Sequence, residues 1–150
     1  MEVLGAIAGI ASVSEILVKV SKHLIRLKSE IFEARNEVER LSRATKRLRS
    51  VVNEVEALSI SDNDNNLWLQ SSLVDHWTEH SESLQKDLLG FISKLDDLRN
   101  DFDKQSKTKN LRARFKKVFS EREIEHYESV LRDHQQSFSF MLSLLAEFVP

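Results

Sequence analysis

The sequence predicts an all-α fold, an up-and-down four-helix bundle with one additional short helix. Three observations carry this expectation. Only three glycines and one proline occur in 150 residues, and the proline is the last residue, Pro150. Strand-rich folds turn about every ten residues and draw on both residue types. Apolar side chains recur at alternating steps of three and four along four segments, the spacing of helices that each bury one stripe. Finally, 41% apolar and 31% charged residues suit a single folded domain over 1–150, long enough to hold its own core.

The first helix is expected over about 2–28. Residues 1–18 carry only Glu2 and Glu15 as charges, and the run Val3–Val13 is apolar on every face. No basic residue precedes it, so it does not read as a secretory signal. The apolar run reaches Val18 with one charge, Glu15, and at about 16 residues it is shorter than the ~20 a membrane-spanning helix needs. From Ser14 onward it becomes amphipathic, with Val13, Leu17, Val20 and Leu24 on one face and Glu15, Lys19, Lys22 and Arg26 on the other. A second stripe follows over about 34–58: Ala34, Val38, Leu41, Thr45, Leu48, Val52 and Val55. No glycine or proline separates the two stripes, so periodicity alone allows one helix over 3–58. That helix would be about 80 Å long, about twice the width of a domain of this size. The chain is therefore expected to fold back between Ser29 and Arg35.

Ser59–Asn66 reads as a polar loop rich in helix N-caps. The third helix, about 66–102, shows the face Leu73, Trp77, Leu84, Leu88, Phe91, Leu95, Leu98 and Phe102, with Gly90 inside it as a bend or a close helix contact. Asp103–Asn110 reads as a polar, mobile linker and 111–119 as the short helix. Ser120 with Glu123 has the pattern of a capping box. It opens a last helix over about 121–148, with the stripe Ile124, Tyr127, Leu131, His134, Phe138, Met141, Leu145 and Phe148.

The net charge of −2 hides segregation. Residues 19–50 hold ten basic and four acidic side chains, residues 51–103 three basic and twelve acidic, and residues 104–118 seven basic and none acidic. Such alternation suits neutralisation between packed helices, or a basic surface offered to an acidic partner. No glycine cluster is present for a nucleotide-phosphate loop. The absence of cysteine removes disulfides and thiol catalysis and fits a reducing compartment. The acidic residues sit at helix-surface spacings, so no enzyme, no catalytic residue, no cofactor and no metal are expected.

Three places, Met1–Val20, Glu33–Leu41 and Leu111–Leu142, together resemble the N-terminal HeLo-like helical domain of fungal STAND proteins, the NOD-like receptors. Met1–Val20 is similar to the family's opening, an acidic residue before an Ala/Ile/Gly-rich apolar helix. Glu33-Ala34-Arg35-Asn36-Glu37-Val38, then Leu41, resembles the start of its second helix. Leu111-Arg112-Ala113-Arg114-Phe115, then Ser120-Glu121-Arg122-Glu123-Ile124, Leu131, Phe138 and Met141-Leu142, resembles its closing basic-aromatic turn and last helix. Arg35 stands where the family often has proline, and the aromatic common near Ala113 is missing. The resemblance implies an N-terminal signalling or cell-death effector domain of a fungal immune-type receptor, of the kind tied to heterokaryon incompatibility. It further implies self-association as a homo-oligomer, a nucleotide-binding switch domain C-terminal to this region, and relocation from the cytoplasm to the plasma membrane on activation. The chain is accordingly read as an excised part of a longer protein.

The candidate sites follow from this. Val3, Leu4, Gly5, Ile7, Gly9, Ile10, Val13, Glu15 and Leu17 form the membrane-insertion candidate, with Gly5 and Gly9 as a small-residue contact and Glu15 as a polar-face group. The competing reading is a helix buried on all sides by the bundle. Lys19, Lys22, Arg26 and Lys28 are the candidates for anionic lipid headgroups. Lys107, Lys109, Arg112, Arg114, Lys116 and Lys117, preceded by Lys104 and interleaved with Phe115 and Phe119, form a basic patch. Its plainest reading is a solvated linker and helix edge, ahead of lipid contact and of nucleic-acid binding. His76 and His80, with Asp75 and Glu79 alongside, supply too few ligands for a structural metal site. His134, on the last stripe, reads as a half-buried, hydrogen-bonded core histidine. The alternative function is a passive oligomerisation or adaptor bundle that never touches lipid.

Overall fold

Four seams of apolar side chains organise the chain. The computed structural model describes residues 2–30, 35–61, 74–104 and 111–146, with side chains at 8–29, 35–58, 75–100, 115–144 and 146. Among these residues there are five α-helices and no strand: α1 (Glu2–Glu30), α2 (Arg35–Ser61), α3 (Val74–Lys104), α4 (Leu111–Val118) and α5 (Glu121–Ala146). The all-α expectation holds. Ser59–Ser61 continue α2 instead of opening a loop, and Asp103 and Lys104 stay in α3; none of them is a helix breaker. The loop expected over 62–66, the first two turns expected for the third helix, the linker after Lys104 and the end of the last helix lie outside the described residues, as does Ala34.

Each long helix turns the described part of its expected stripe inward, with Tyr127 and His134 half-buried; the side chains of Leu73, Phe102, Leu145 and Phe148 lie outside the described residues. In α1 the buried members are Ile10, Val13, Leu17, Val20, Leu24 and Leu27, and in α2 Val38, Leu41, Leu48, Val52 and Val55. In α3 they are Trp77, Leu84, Leu88, Phe91, Leu95 and Leu98, and in α5 Ile124, Leu131, Phe138 and Met141. Such steps keep one face turned to its neighbours along the whole helix. Thr45 completes the α2 seam, and its hydroxyl donates to the Leu41 carbonyl at 2.8 Å, so a buried polar group is satisfied within its own helix.

α1 packs along both α2 and α3, and α2 packs along α5; the contacts of α3 with α4 and α5 are less extensive. The chain therefore turns back between Glu30 and Arg35, and Lys28 meets Glu39 across the α1–α2 contact at 2.6 Å. Gly9 lies against Ser81 and His23 against Asp96, so α1 and α3 run in the same direction. Asp87 with His134 and Lys94 with Glu123 show α3 and α5 running in opposite directions.

α4 is held by aromatic packing. Phe115 and Phe119 are buried and stack with each other at 5.5 Å between ring centroids. Phe91 and Tyr127 close the cluster, their rings 4.5 Å apart, edge to face. Ser120 then caps α5: its hydroxyl accepts the Glu123 N–H at 3.2 Å and its carbonyl accepts the Ile124 N–H at 3.0 Å. The Glu123 carboxylate accepts from Lys94 at 2.7 Å, tying the cap to α3. At the other end Trp77 and Phe138 stack at 4.6 Å.

The two described helical glycines differ. A Cβ at Gly9 would lie 3.3 Å from the Ser81 Cβ, tighter than ordinary contact, whereas a Cβ at Gly90 meets nothing within 4 Å. Gly90 therefore makes no close helix contact. Gly90→Ala is expected to stabilise the fold by about 0.5–1 kcal/mol through helix propensity, and Gly9→Leu to destabilise it by about 1–3 kcal/mol through overpacking. Urea unfolding of the two variants checks the contrast; equal and small effects would remove the α1–α3 close approach as an explanation for Gly9.

Candidate functional site

The apolar half of α1 is one-sided wherever its side chains are described. Ile10, Val13 and Leu17 are at most 1% exposed, while Ala8, Ala11 and Glu15 face outward and Gly9 and Ser12 are half-buried. Burial on every side is therefore not what residues 8–15 show. Val3, Leu4, Gly5 and Ile7 lie in the helical backbone, and their side chains lie outside the described residues. Among the described residues no helix is long and apolar enough to cross a membrane. Two buried hydroxyls, Ser14 Oγ on α1 and Ser81 Oγ facing Gly9, have no hydrogen-bond partner among the described residues. An unpaired buried hydroxyl costs about 1–3 kcal/mol.

One turn further along α1 the surface becomes cationic. Lys19, Lys22 and Arg26 line a shallow groove of about 210 Å³ together with His23 and, from α3, Arg99. The heptad seam points Leu17, Val20 and Leu24 inward, which places these cations on the outer face. His23 Nε2 sits 3.3 Å from Asp96 at the groove's edge. Lys28 does not belong to this rim in the folded chain, because its ammonium is committed to Glu39. Its hydrogen bond holds the Glu39 carboxyl below the ordinary glutamate value.

The basic patch is only partly assembled by the fold. Lys116 and Lys117 are exposed on α4. Arg112 and Arg114 lie in the same helix without described side chains, and Lys107 and Lys109 lie outside the described residues. Phe115 and Phe119, read as aromatics interleaved with that charge, are core residues instead. The Phe119 ring packs on Phe91 and Tyr127 and the Phe115 ring on Phe119, and both are buried, so they offer no face on which a base can stack.

The histidines separate. His134 is 11% exposed and shares a 2.7 Å hydrogen bond with Asp87, as its place on the stripe predicts. His80 is half-buried and His76 exposed; both border a groove of about 190 Å³ with Phe140 and Met141. Among the described residues no three metal-ligating side chains converge.

A further basic groove, of about 310 Å³, was not foreseen. It runs between α2 and α5 and is lined by Arg40, Arg43, Ala44, Arg47, Glu128, Arg132 and Gln135. Arg40 donates to both oxygens of Glu128, at 3.3 and 3.0 Å, and to Glu121 at 2.7 Å. These bonds, that to Glu128 first, raise the Arg40 pKa, and the Glu128 carboxyl is held below the ordinary value of 4.5 chiefly by the same contact. The sequence signal for the groove is the arginine spacing 40, 43, 47, which puts three guanidinium groups on one face of α2. The contribution of Arg132 comes from the other end of the chain and has no local signal.

No protein-family model, no curated protein and no solved structure matches this chain.

The depressed carboxyls give stability a defined pH dependence. Glu39, Glu123 and Glu128 are all lowered in the folded state by hydrogen bonds from Lys28, Lys94 and Arg40. A depressed carboxyl contributes stability that is present above its unfolded pKa, about 4.3 for glutamate, and is lost as pH falls through the lower folded value. The melting temperature is therefore expected to hold from pH 7 to about 5 and to fall steadily below about 4.3. Glu128→Gln should start lower and fall less steeply; a slope identical to that of the parent chain would show that the α2–α5 clasp has no part in it.

Proposed function

We infer that this chain is an N-terminal signalling domain of the HeLo-like kind, a non-catalytic four-helix bundle with a short extra helix, which self-associates and targets a membrane through α1. One observation carries the reading: α1 joins an apolar amino-terminal half to a cationic rim, the exposed Lys19 and Lys22 with the half-buried Arg26, backed by Arg99. From Val3 to Lys19 is 16 residues, or about 24 Å of helix. That is less than the ~30 Å of a hydrocarbon core, so the helix enters the bilayer deeply without spanning it, and the rim rests at the headgroups. Cations there are worth on the order of 1 kcal/mol each against an anionic surface. The setting is a cytoplasmic receptor with a nucleotide-binding switch domain after this region, relocating to the plasma membrane on activation.

The α1–α3 contact is the seam that would open. It contains the close approach of Gly9 to Ser81, where the Ser81 hydroxyl lacks a partner. Freeing Ile10, Val13 and Leu17 costs about 5–9 kcal/mol of burial, which transfer of the same side chains into lipid offsets. The burial of these three residues also favours a second reading, the adaptor bundle in which α1 never leaves the core.

Flotation and dye release with anionic and neutral vesicles separate the two. The membrane reading expects binding that needs anionic lipid and weakens about thirtyfold in the double variant Lys19→Gln, Lys22→Gln. Both residues are exposed, so helicity should be unchanged. Absence of binding to either vesicle type, with the chain folded and self-associated, selects the adaptor.

A further inference from the structure

The α2–α5 groove carries more positive charge than its structural role requires. Glu128 is its one lining carboxylate among the described residues, and Arg40 engages that group with two hydrogen bonds. Arg132 lies 4.0 Å from the same carboxylate and its side chain is 57% exposed, so it is loosely attracted rather than bonded. Arg43 and Arg47 are exposed on the groove's α2 wall. With Arg40 held by Glu128 and Glu121, the guanidinium groups of Arg43, Arg47 and Arg132 line the same concavity beside Gln135, and four arginines against two carboxylates leave an excess of two positive charges. Like charges held this close on rigid helices repel, and a structural contact between α2 and α5 gains nothing from them.

The residue types narrow the ligand. All four cations in the groove are arginine, while Lys46 on the same helix does not line it. A guanidinium presents a planar fork that meets phosphate oxygens in pairs, which an ammonium does not. Arg43 and Arg47 stand about 6 Å apart along the helix axis, and Arg132 faces them from α5, so the charge is spread over more than a single ion. The volume, about 310 Å³, is at the small end of ligand sites, about 300–1,000 Å³. It is too small for a folded acidic partner to enter.

We propose that the groove between α2 and α5 binds a small anion bearing two or more phosphate groups, held by Arg43, Arg47 and Arg132. The site is independent of the membrane reading. It lies between α2 and α5, whereas the cationic rim lies between α1 and α3, and α1 packs between α2 and α3. Phosphate groups of this kind are offered both by soluble polyphosphates and by multiply phosphorylated lipid headgroups, and the test separates the two.

Isothermal titration calorimetry of the full chain with inorganic tripolyphosphate reads the site directly. Saturable binding of one ligand per chain is expected, weaker with single orthophosphate and lowered on the order of tenfold or more in Arg43→Gln, Arg47→Gln. Arg132→Gln should weaken it by a similar factor, and Lys19→Gln, Lys22→Gln should leave it unchanged. A second arm uses phosphatidylcholine vesicles doped with phosphatidylinositol bisphosphate. Vesicle binding that is lost in Arg43→Gln, Arg47→Gln and displaced by tripolyphosphate names the lipid headgroup as the source, and groove-dependent binding of the free ion alone names a soluble one. No tripolyphosphate binding at millimolar concentration overturns the proposal, as does equal affinity in the arginine variants or equal binding of a glutamate-rich peptide. Loss of vesicle binding in the Lys19, Lys22 variant bears only on α1.

Discussion

The fold depends on a single seam that serves two neighbours. Ile10, Val13, Leu17, Val20, Leu24 and Leu27 are the whole described buried face of α1, and α1 is the helix that packs extensively on both α2 and α3. Six large side chains at about 1.5–3 kcal/mol each represent about 9–18 kcal/mol of burial. The net stability of a domain is about 5–15 kcal/mol. Complete release of α1 is therefore equivalent to unfolding. A partial release is a different matter, because the seam divides at Lys19: below it lie three buried residues, above it three more. Any mechanism that uses the apolar end of α1 must leave Val20, Leu24 and Leu27 in place.

Polar clasps accompany the apolar packing at each contact between long helices, the broad ones and the thin one alike. The α3–α5 contact is less extensive than those α1 makes, and it is there that Asp87 meets His134 and Lys94 meets Glu123, with the Lys94 ammonium also 5.6 Å from the centre of the Tyr127 ring. The groups are partly exposed, so each pair contributes at most about 1 kcal/mol. Their larger effect is on register. The side-chain steps of α3 and α5 are nearly equal, and a slide by one heptad would still bury apolar residues; it would also break both pairs at once. The Ser120 cap works in the same direction, since Glu123 is fixed to α3 while its own N–H is fixed to the turn before α5.

What was legible in the sequence was whatever a helix repeats. The described parts of the four stripes, the cap at Ser120 and the hydrogen-bonded His134 all follow from spacing along one element, and the structure places them as read. What was not legible arises between elements. Phe115 and Phe119 sit in a basic stretch, and nothing local tells that Phe91 and Tyr127 wait across the gap for the Phe119 ring. Gly90 carries no sign that its surroundings are open. Lys28 looks like one more cation of the α1 rim until the chain folds back and sets Glu39 beside it. The arginine groove needs α2 and α5 side by side, and Arg132 is 85 residues from Arg47 in the chain. The charge blocks were seen, but their partners were not.

Those blocks explain why the surface remains polarised. The basic stretch of α2 and the acidic stretch of α3 look made to neutralise each other, yet the two helices share no extensive contact. α2 instead meets α5, which has only Glu121 and Glu128 to offer to Arg40. The α3 acids Asp87 and Asp96 meet histidines, His134 and His23, and Asp75, Glu79, Glu82 and Asp97 are left exposed. At an exposed separation beyond about 8–10 Å salt screens most of the attraction that remains, so the imbalance on one edge is not relieved by the opposite imbalance on another. Helix order, set by the apolar seams, thus fixes where the uncompensated charge lies. Part of the positive excess lies along α2, in the concavity that α5 closes, because the two α5 carboxylates that reach this wall, Glu121 and Glu128, are both engaged by Arg40.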